Sequence, residues 1–245
     1  MRVPRLYLPI PLATGLIVQL DDHAFNHAVR VLRLGVKAPV TLFNGQGEAF
    51  AATLTAVGKR QALARVMDTL PGEVESPLTV TLAQGVSRSE KMDYTLQKAV
   101  ELGVAAIQPL FTERSGVDLT GERLARKVQH WQGIVIGACE QCGRNRLPAL
   151  REPLTLIDGL TPLTAAPGLG LLLDPLAATG LRRLTPPSSP ITLLIGSEGG
   201  LSPAEMDRAR AVGFVGIRLG PRILRTETAG VAALAAIQAL WGDCG

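Results

Sequence analysis

The sequence predicts a two-domain α/β protein: a small β-rich module over residues 1–72 and a larger unit over 73–245 built on a parallel sheet. Three observations carry this prediction. Short β-like segments separated by turn residues fill the first part of the chain. The stretch Leu70-Pro71-Gly72-Glu73-Val74-Glu75-Ser76-Pro77 then interrupts the pattern, two prolines and a glycine leaving little chance of regular structure. Beyond it, short and nearly continuous apolar strands alternate with amphipathic helices, as in a sheet covered on both faces.

In the first module, residues 40–43, 48–56 and 62–68 read as strands, with Asn44-Gly45-Gln46-Gly47 as the hairpin turn between the first two. One helix interrupts them, from Asp22 to about Leu34, with Gly35 as its stop. In the second unit, strands are expected at 78–83, 105–110, 169–174, 191–195 and 214–219, and helices at 90–102, 123–142, 203–212 and 227–241. In the helix over 123–142, Leu124, Val128, Trp131, Val135, Ala138 and Cys142 step by fours and threes into one apolar stripe. Pro186-Pro187-Ser188-Ser189-Pro190 reads as a loop, and no internal repeat is visible.

Composition bounds the function. At 47% hydrophobic and 19% charged, 245 residues can bury a substantial core, with only 4% aromatic residues to help. No apolar run approaches 18 residues, and Pro4, Pro9 and Pro11 break any signal-like segment, so a cytoplasmic protein without membrane spans is expected. The net charge of +4 lies wholly in the first module: residues 1–72 carry eight basic and four acidic side chains, the remainder 17 of each. A compact basic module beside a neutral one suits an enzyme that grips a polyanion. Cys139 and Cys142 have C-x-x-C spacing, but no second pair or histidine pair accompanies them, which favours packing over metal or redox chemistry. The histidines His23, His27 and His130 show no ligand spacing either, and no metal is expected.

The chemistry-bearing motifs lie near the C-terminus. The strand over 191–195 enters a turn with three glycines in five residues, Gly196-Ser197-Glu198-Gly199-Gly200. Ser202 as N-cap, Pro203 at the first helical position and Glu205 three residues after the cap open the next helix. A second loop, Leu219-Gly220-Pro221-Arg222-Ile223-Leu224-Arg225-Thr226-Glu227-Thr228-Ala229, also follows a strand and opens a helix. Neither loop is a P-loop, and neither is a dinucleotide fingerprint after the first strand of a βαβ unit. Two such loops at what read as neighbouring strand ends describe a ligand cleft made largely of backbone. A Cβ at Gly199 or Gly220 is expected to intrude on the ligand or strain the turn.

These two loops closely resemble the signature of the RsmE family, SPOUT-class methyltransferases that methylate N3 of a uridine in 16S ribosomal RNA. Other segments resemble the family in order and spacing: Arg5-Leu6-Tyr7, residues 27–33, residues 91–103, Thr112-Glu113-Arg114-Ser115 and Cys139-Glu140-Gln141-Cys142-Gly143-Arg144. The chain departs from the family at Ser197, where proline is usual, and at Ala38-Pro39, where a Gly-Asp turn is common.

The resemblance implies a PUA-like RNA-binding β-barrel over 1–72 and a SPOUT α/β domain over 73–245. The C-terminal segment of the latter would be threaded into a trefoil knot, against the rule that favours unknotted connections. It implies S-adenosylmethionine as cofactor, 16S rRNA of the small ribosomal subunit as partner, and a homodimer. Cofactor contacts are expected from Leu172, Leu173, Asp174, Gly196, Glu198, Gly199, Gly200, Leu219, Gly220, Ile223, Leu224 and Thr226. Uracil N3 carries a proton, so the reaction needs a proton acceptor and donors for the developing charge. Arg225, Glu227 and Glu198 are the candidates, with an Arg225–Glu227 ion pair that only braces the loop as the alternative. RNA contacts are expected from Arg5, Arg30, Arg33, Arg144 and Arg222. Glu140 and Arg144 either reach the site of a second copy or cap their own helix. Two other functions compete: a SPOUT ribose 2′-O-methyltransferase acting on tRNA, and an RNA-binding assembly factor with a vestigial cleft.

Overall fold

The computed structural model describes residues 3–72, 74–117 and 119–245; Arg2, counted above among the basic residues, and Glu73 of the expected linker lie outside them. The chain divides into two compact units, one formed by Met1–Glu75 with Ile136–Leu147, the other by Ser76–Val135 with Pro148–Gly245.

The first unit holds a five-stranded sheet. Its strands are β1 (Arg5–Tyr7), β2 (Ile17–Gln19), β3 (Pro39–Phe43), β4 (Ala49–Val57) and β5 (Ala62–Leu70), in the order β1-β3-β4-β5-β2. Pairing is antiparallel except between β1 and β3. Alternation drives the fold: along β5, Ala62, Ala64 and Val66 turn inward while Arg65 and Met67 face out. Leu6, Leu8, Leu42, Leu54 and Phe25 fill the core beneath. The expected helix after Asp22 is shorter than the pattern suggests. Asp21 caps the single turn α1 (Asp22–Phe25) by accepting from the Ala24 N–H at 2.8 Å, and a π-helical segment (Asn26–Val31) continues it. The chain then reverses at Arg33, with φ of 55°, not at Gly35.

The second unit holds a seven-stranded sheet with only parallel pairs. Its members are β6 (Val80–Gly85), β7 (Ala106–Phe111), β8 (Ala149–Leu150), β9 (Leu154–Thr155), β10 (Leu169–Leu173), β11 (Ile191–Ile195) and β12 (Val215–Ile217). The order is β12-β10-β11-β6-β7-β8, with β9 also on β7. Helices α2 (Ser89–Glu101), α3 (Gly121–Cys142), α4 (Leu156–Thr164), α5 (Pro203–Ala211) and α6 (Thr226–Trp241) accompany it. Helix α4 has no counterpart in the sequence reading, because Gly159 and Pro162 disguise it. Leu110 and Leu156 show why it forms: its buried face packs on the sheet, and Gly159 lies so close to Leu110 that a Cβ there would be 2.5 Å from the leucine side chain. Among the described residues, no helix is long and apolar enough to cross a membrane.

Candidate functional site

The strand order sets the site. β10 lies between β11 and β12, so the two signature loops leave strands that are not neighbours, and the loop after β10 fills the gap between them. Each loop is shaped by its own chemistry. After β10, the Asp174 carboxylate accepts from Leu176 N–H at 2.8 Å and from Arg210 Nη2 at 2.7 Å, which pins the loop to its own backbone and to α5. After β11, Gly200 adopts φ of +70° and its N–H donates to the Ser197 carbonyl at 2.9 Å. Gly196 has no room for a Cβ, which would lie 2.8 Å from the Gly200 and Leu201 backbone. The turn ends in a reciprocal cap: Glu205 N–H donates to Ser202 Oγ at 3.1 Å and Ser202 N–H to Glu205 Oε2 at 2.8 Å. After β12, Gly220 takes φ of +69°, and Arg225 becomes the N-cap of α6.

Between the loops lies a cavity of about 610 Å³, a size suited to a small-molecule cofactor. Leu173, Asp174, Gly196, Glu198, Gly199, Gly200, Leu219, Ile223, Leu224 and Thr226 line it, together with Arg222, Arg225 and Glu227. Leu172 is packed with Leu194 and Phe214 in the core, and Gly220 sits at the bend between wall residues. A Cβ at Gly199 would meet Arg114 at 2.7 Å, so this glycine serves the approach of the segment after β7. One at Gly220 would meet nothing within 4 Å, and only its left-handed backbone calls for glycine.

The sequence reading missed Lys91, Leu176, Ser197 and Arg218, which also line the cavity. Lys91 opens the 91–103 segment, which resembles the family in sequence but holds none of the expected site residues. Leu176 is 91% exposed and Ile223 86%, two large apolar side chains left in solvent at the rim. An apolar residue in a short Pro/Ala loop carries no sequence signal for such a position.

Arg225 is exposed and forms no ion pair among the described residues, so the bracing pair with Glu227 is not present. Glu227 lies in the first turn of α6, where the helix dipole favours a carboxylate, and its Oε2 is buried with no hydrogen-bond partner among the described residues. Glu198 accepts from the Arg88 N–H at 3.0 Å and pairs with Lys91 at 3.5 Å. Burial opposes its ionisation, but hydrogen bonds from the Arg88 and Glu198 backbone and the charge of Lys91 outweigh that and hold it below the usual carboxylate range.

The other expected residues belong to the first unit. Arg30 and Arg33 are exposed, Arg30 lying over the Phe25 ring at 5.8 Å. Arg5 donates to the Arg144 carbonyl at 3.1 Å and to Asn145 Oδ1 at 2.6 Å. Arg144 is 5% exposed and its guanidinium grips Glu75 at 2.7 Å and 2.9 Å, so it braces the unit internally. Glu140 is also buried: it accepts from the Tyr7 N–H at 3.0 Å and bonds His27 Nδ1 at 3.1 Å. The Glu140 carboxylate, 3.7 Å from His23 Nε2, raises the His23 pKa above its ordinary value, against partial burial. Burial pushes the Cys139 thiol up to about 12, leaving it protonated and inert. No group of three or more His, Cys, Asp or Glu among the described residues is arranged for a metal.

Residues 74–238 match the model of an RNA methyltransferase domain, and residues 20–67 that of an RNA methyltransferase PUA domain. The chain is 33% identical to the ribosomal RNA small subunit methyltransferase E of Buchnera aphidicola subsp. Acyrthosiphon pisum, over 99% of this chain and 95% of that protein. It superposes on the ribosomal RNA small subunit methyltransferase E of Neisseria gonorrhoeae bound to S-adenosyl methionine with a TM-score of 0.92, at 41% identity, covering 100% of both chains. A Legionella pneumophila methyltransferase in complex with the cofactor SAM gives a TM-score of 0.95 at 41% identity, covering 99% of this chain and 100% of that one.

Proposed function

This chain belongs to the ribosomal RNA small subunit methyltransferase E family, and from that premise we propose N3 of a uridine in 16S rRNA as the atom it methylates. The protein is an S-adenosylmethionine-dependent rRNA methyltransferase. The observation that carries the site assignment is the 610 Å³ cavity lined at once by the glycine turn and by Arg225 and Glu227.

When bound, S-adenosylmethionine supplies an electrophilic methyl group; the residues of the chain bind, orient and move the proton. Leu219, Ile223 and Leu224 offer apolar surface for an adenine, and Gly199 and Gly200 let the turn approach a ligand with no side chain of their own in the way. Glu227, with one buried carboxylate oxygen unpartnered, accepts the N3 proton. Arg225 donates to a uracil carbonyl as negative charge grows on the ring. Glu198, held ionised, orients Lys91 at the rim. Arg30, Arg33 and Arg222 contact RNA phosphates, while Arg5 and Arg144 shape the unit that presents the first two.

The fold follows the same reading: a PUA-like barrel over 1–72, a trefoil knot in the domain over 73–245, and a homodimer working on ribosomal RNA in the cytoplasm. Single-turnover methylation of 16S rRNA at saturating cofactor, with mass mapping of the product, tests the chemistry. Arg225→Ala is expected to slow the step about a hundredfold, the scale of losing one oriented donor, with cofactor binding retained. A rate near wild type, or a methyl group on a ribose oxygen, would overturn the assignment.

A further inference from the structure

We propose that Gln84, which lies outside the cavity wall, is the positioning residue that holds the cofactor turn and the catalytic helix in register; the inference rests on the methyltransferase reading above. Gln84 is fully buried on β6, paired in register with Ile195, the last residue before the glycine turn. Its Nε2 donates to Thr226 Oγ1 at 2.9 Å, to the Gly85 carbonyl at 3.1 Å and, more weakly, towards the Gly196 carbonyl at 3.4 Å. Thr226 in turn donates its hydroxyl to the same Gly196 carbonyl at 2.6 Å. One buried amide thus reaches both the first residue of the glycine turn and the first residue of α6.

The orientation of the amide follows from these partners. Three oxygens surround one terminal atom of Gln84, and the Thr226 hydrogen is already given to Gly196, so that atom must be the donor nitrogen. Its Oε1 then has no partner among the described residues and lies beside Gly230, where a Cβ would stand 3.2 Å away. A buried acceptor left unpaired is destabilising, and an apolar side chain of this shape would avoid it. The glutamine is therefore kept for its donors. Those donors aim the Gly196 carbonyl and seat the turn of α6 that carries Arg225 and Glu227, so that cofactor binding and chemistry depend on one joint.

Gln84→Met keeps the shape and removes the donors, together with the unpaired Oε1, while the Gly85 carbonyl and Thr226 Oγ1 each lose one donor. The lost oxygen and the lost donors offset each other, so the expected result is an unfolding midpoint in urea close to wild type, with S-adenosylmethionine affinity by calorimetry reduced at least tenfold and single-turnover methylation slowed at saturating cofactor. Thr226→Val, which breaks the joint from its other side, is expected to match it. Thr226→Ser, which keeps the hydroxyl, recovers most of the affinity, and Gln84→Met/Thr226→Val is no worse than the poorer single variant. Wild-type protein that binds no S-adenosylmethionine would refute the functional reading itself. Wild-type binding with unchanged affinity in Gln84→Met, or additive losses in the double variant, would overturn the role of Gln84. Should Gln84→Met fail to fold, equal affinities for Thr226→Val and Thr226→Ser would overturn it instead.

Discussion

Replacing Ser197 by alanine tests whether the glycine turn is held from beneath. The family resemblance places proline here, which would stiffen the turn covalently. Serine instead offers a hydroxyl 3.0 Å from Thr112 Oγ1, with Ser197 4% and Thr112 7% exposed. The net worth of such a bond is about 0.5–1.5 kcal/mol, but a buried hydroxyl stripped of its partner costs about 1–3 kcal/mol. Ser197→Ala strands Thr112, and Thr112→Val strands Ser197, so each is expected to lose about 1–3 kcal/mol. The double variant has no stranded hydroxyl and is expected to lie closer to wild type than the sum of the two. Urea unfolding of all four proteins, with unchanged m-values, gives the coupling energy. Additivity within about 0.5 kcal/mol would refute the brace, because independent sites behave that way.

Gly220→Val puts a β-branched residue at φ of +69°, and is expected to weaken S-adenosylmethionine binding at least tenfold, about 1.4 kcal/mol, with the fold retained; unchanged affinity by calorimetry would remove this bend from the cofactor site. Arg30→Ala/Arg33→Ala should weaken RNA binding and flatten its salt dependence without moving cofactor affinity, as read by filter binding across a salt series. The raised pKa of His23 makes its stabilising contact with Glu140 fully present below about pH 6.5, the unperturbed value, and lost as pH rises through the folded-state value. Wild-type stability in urea should therefore fall over that interval more than that of His23→Gln, and equal slopes would discard the contact.

Much of the fold was legible because its signals are local. The Ser202-Pro203-Glu205 cap marks the start of α5 within four residues, and the β11 strand and the Asn44–Gly47 turn are visible in single windows of sequence. The motifs after β11 and β12 marked the cleft for the same reason. What the sequence could not settle depends on partners far along the chain. Nothing near residue 170 says that β10 separates β11 from β12, yet that order makes its loop a wall of the cleft and turns Leu172 into the core. The end of α3 reads as one continuous helix, but the segment from Ile136 to Leu147 packs with the first unit, where Glu140 meets Tyr7 and Arg144 meets Glu75. Gln84 lies one residue past the strand expected over 78–83, and nothing in the sequence marks it until Thr226, 142 positions away, comes within 2.9 Å of it. Periodicity and caps are set by neighbours within a turn or two of chain, whereas strand order and buried polar pairing are decided by whichever distant groups tertiary packing brings together.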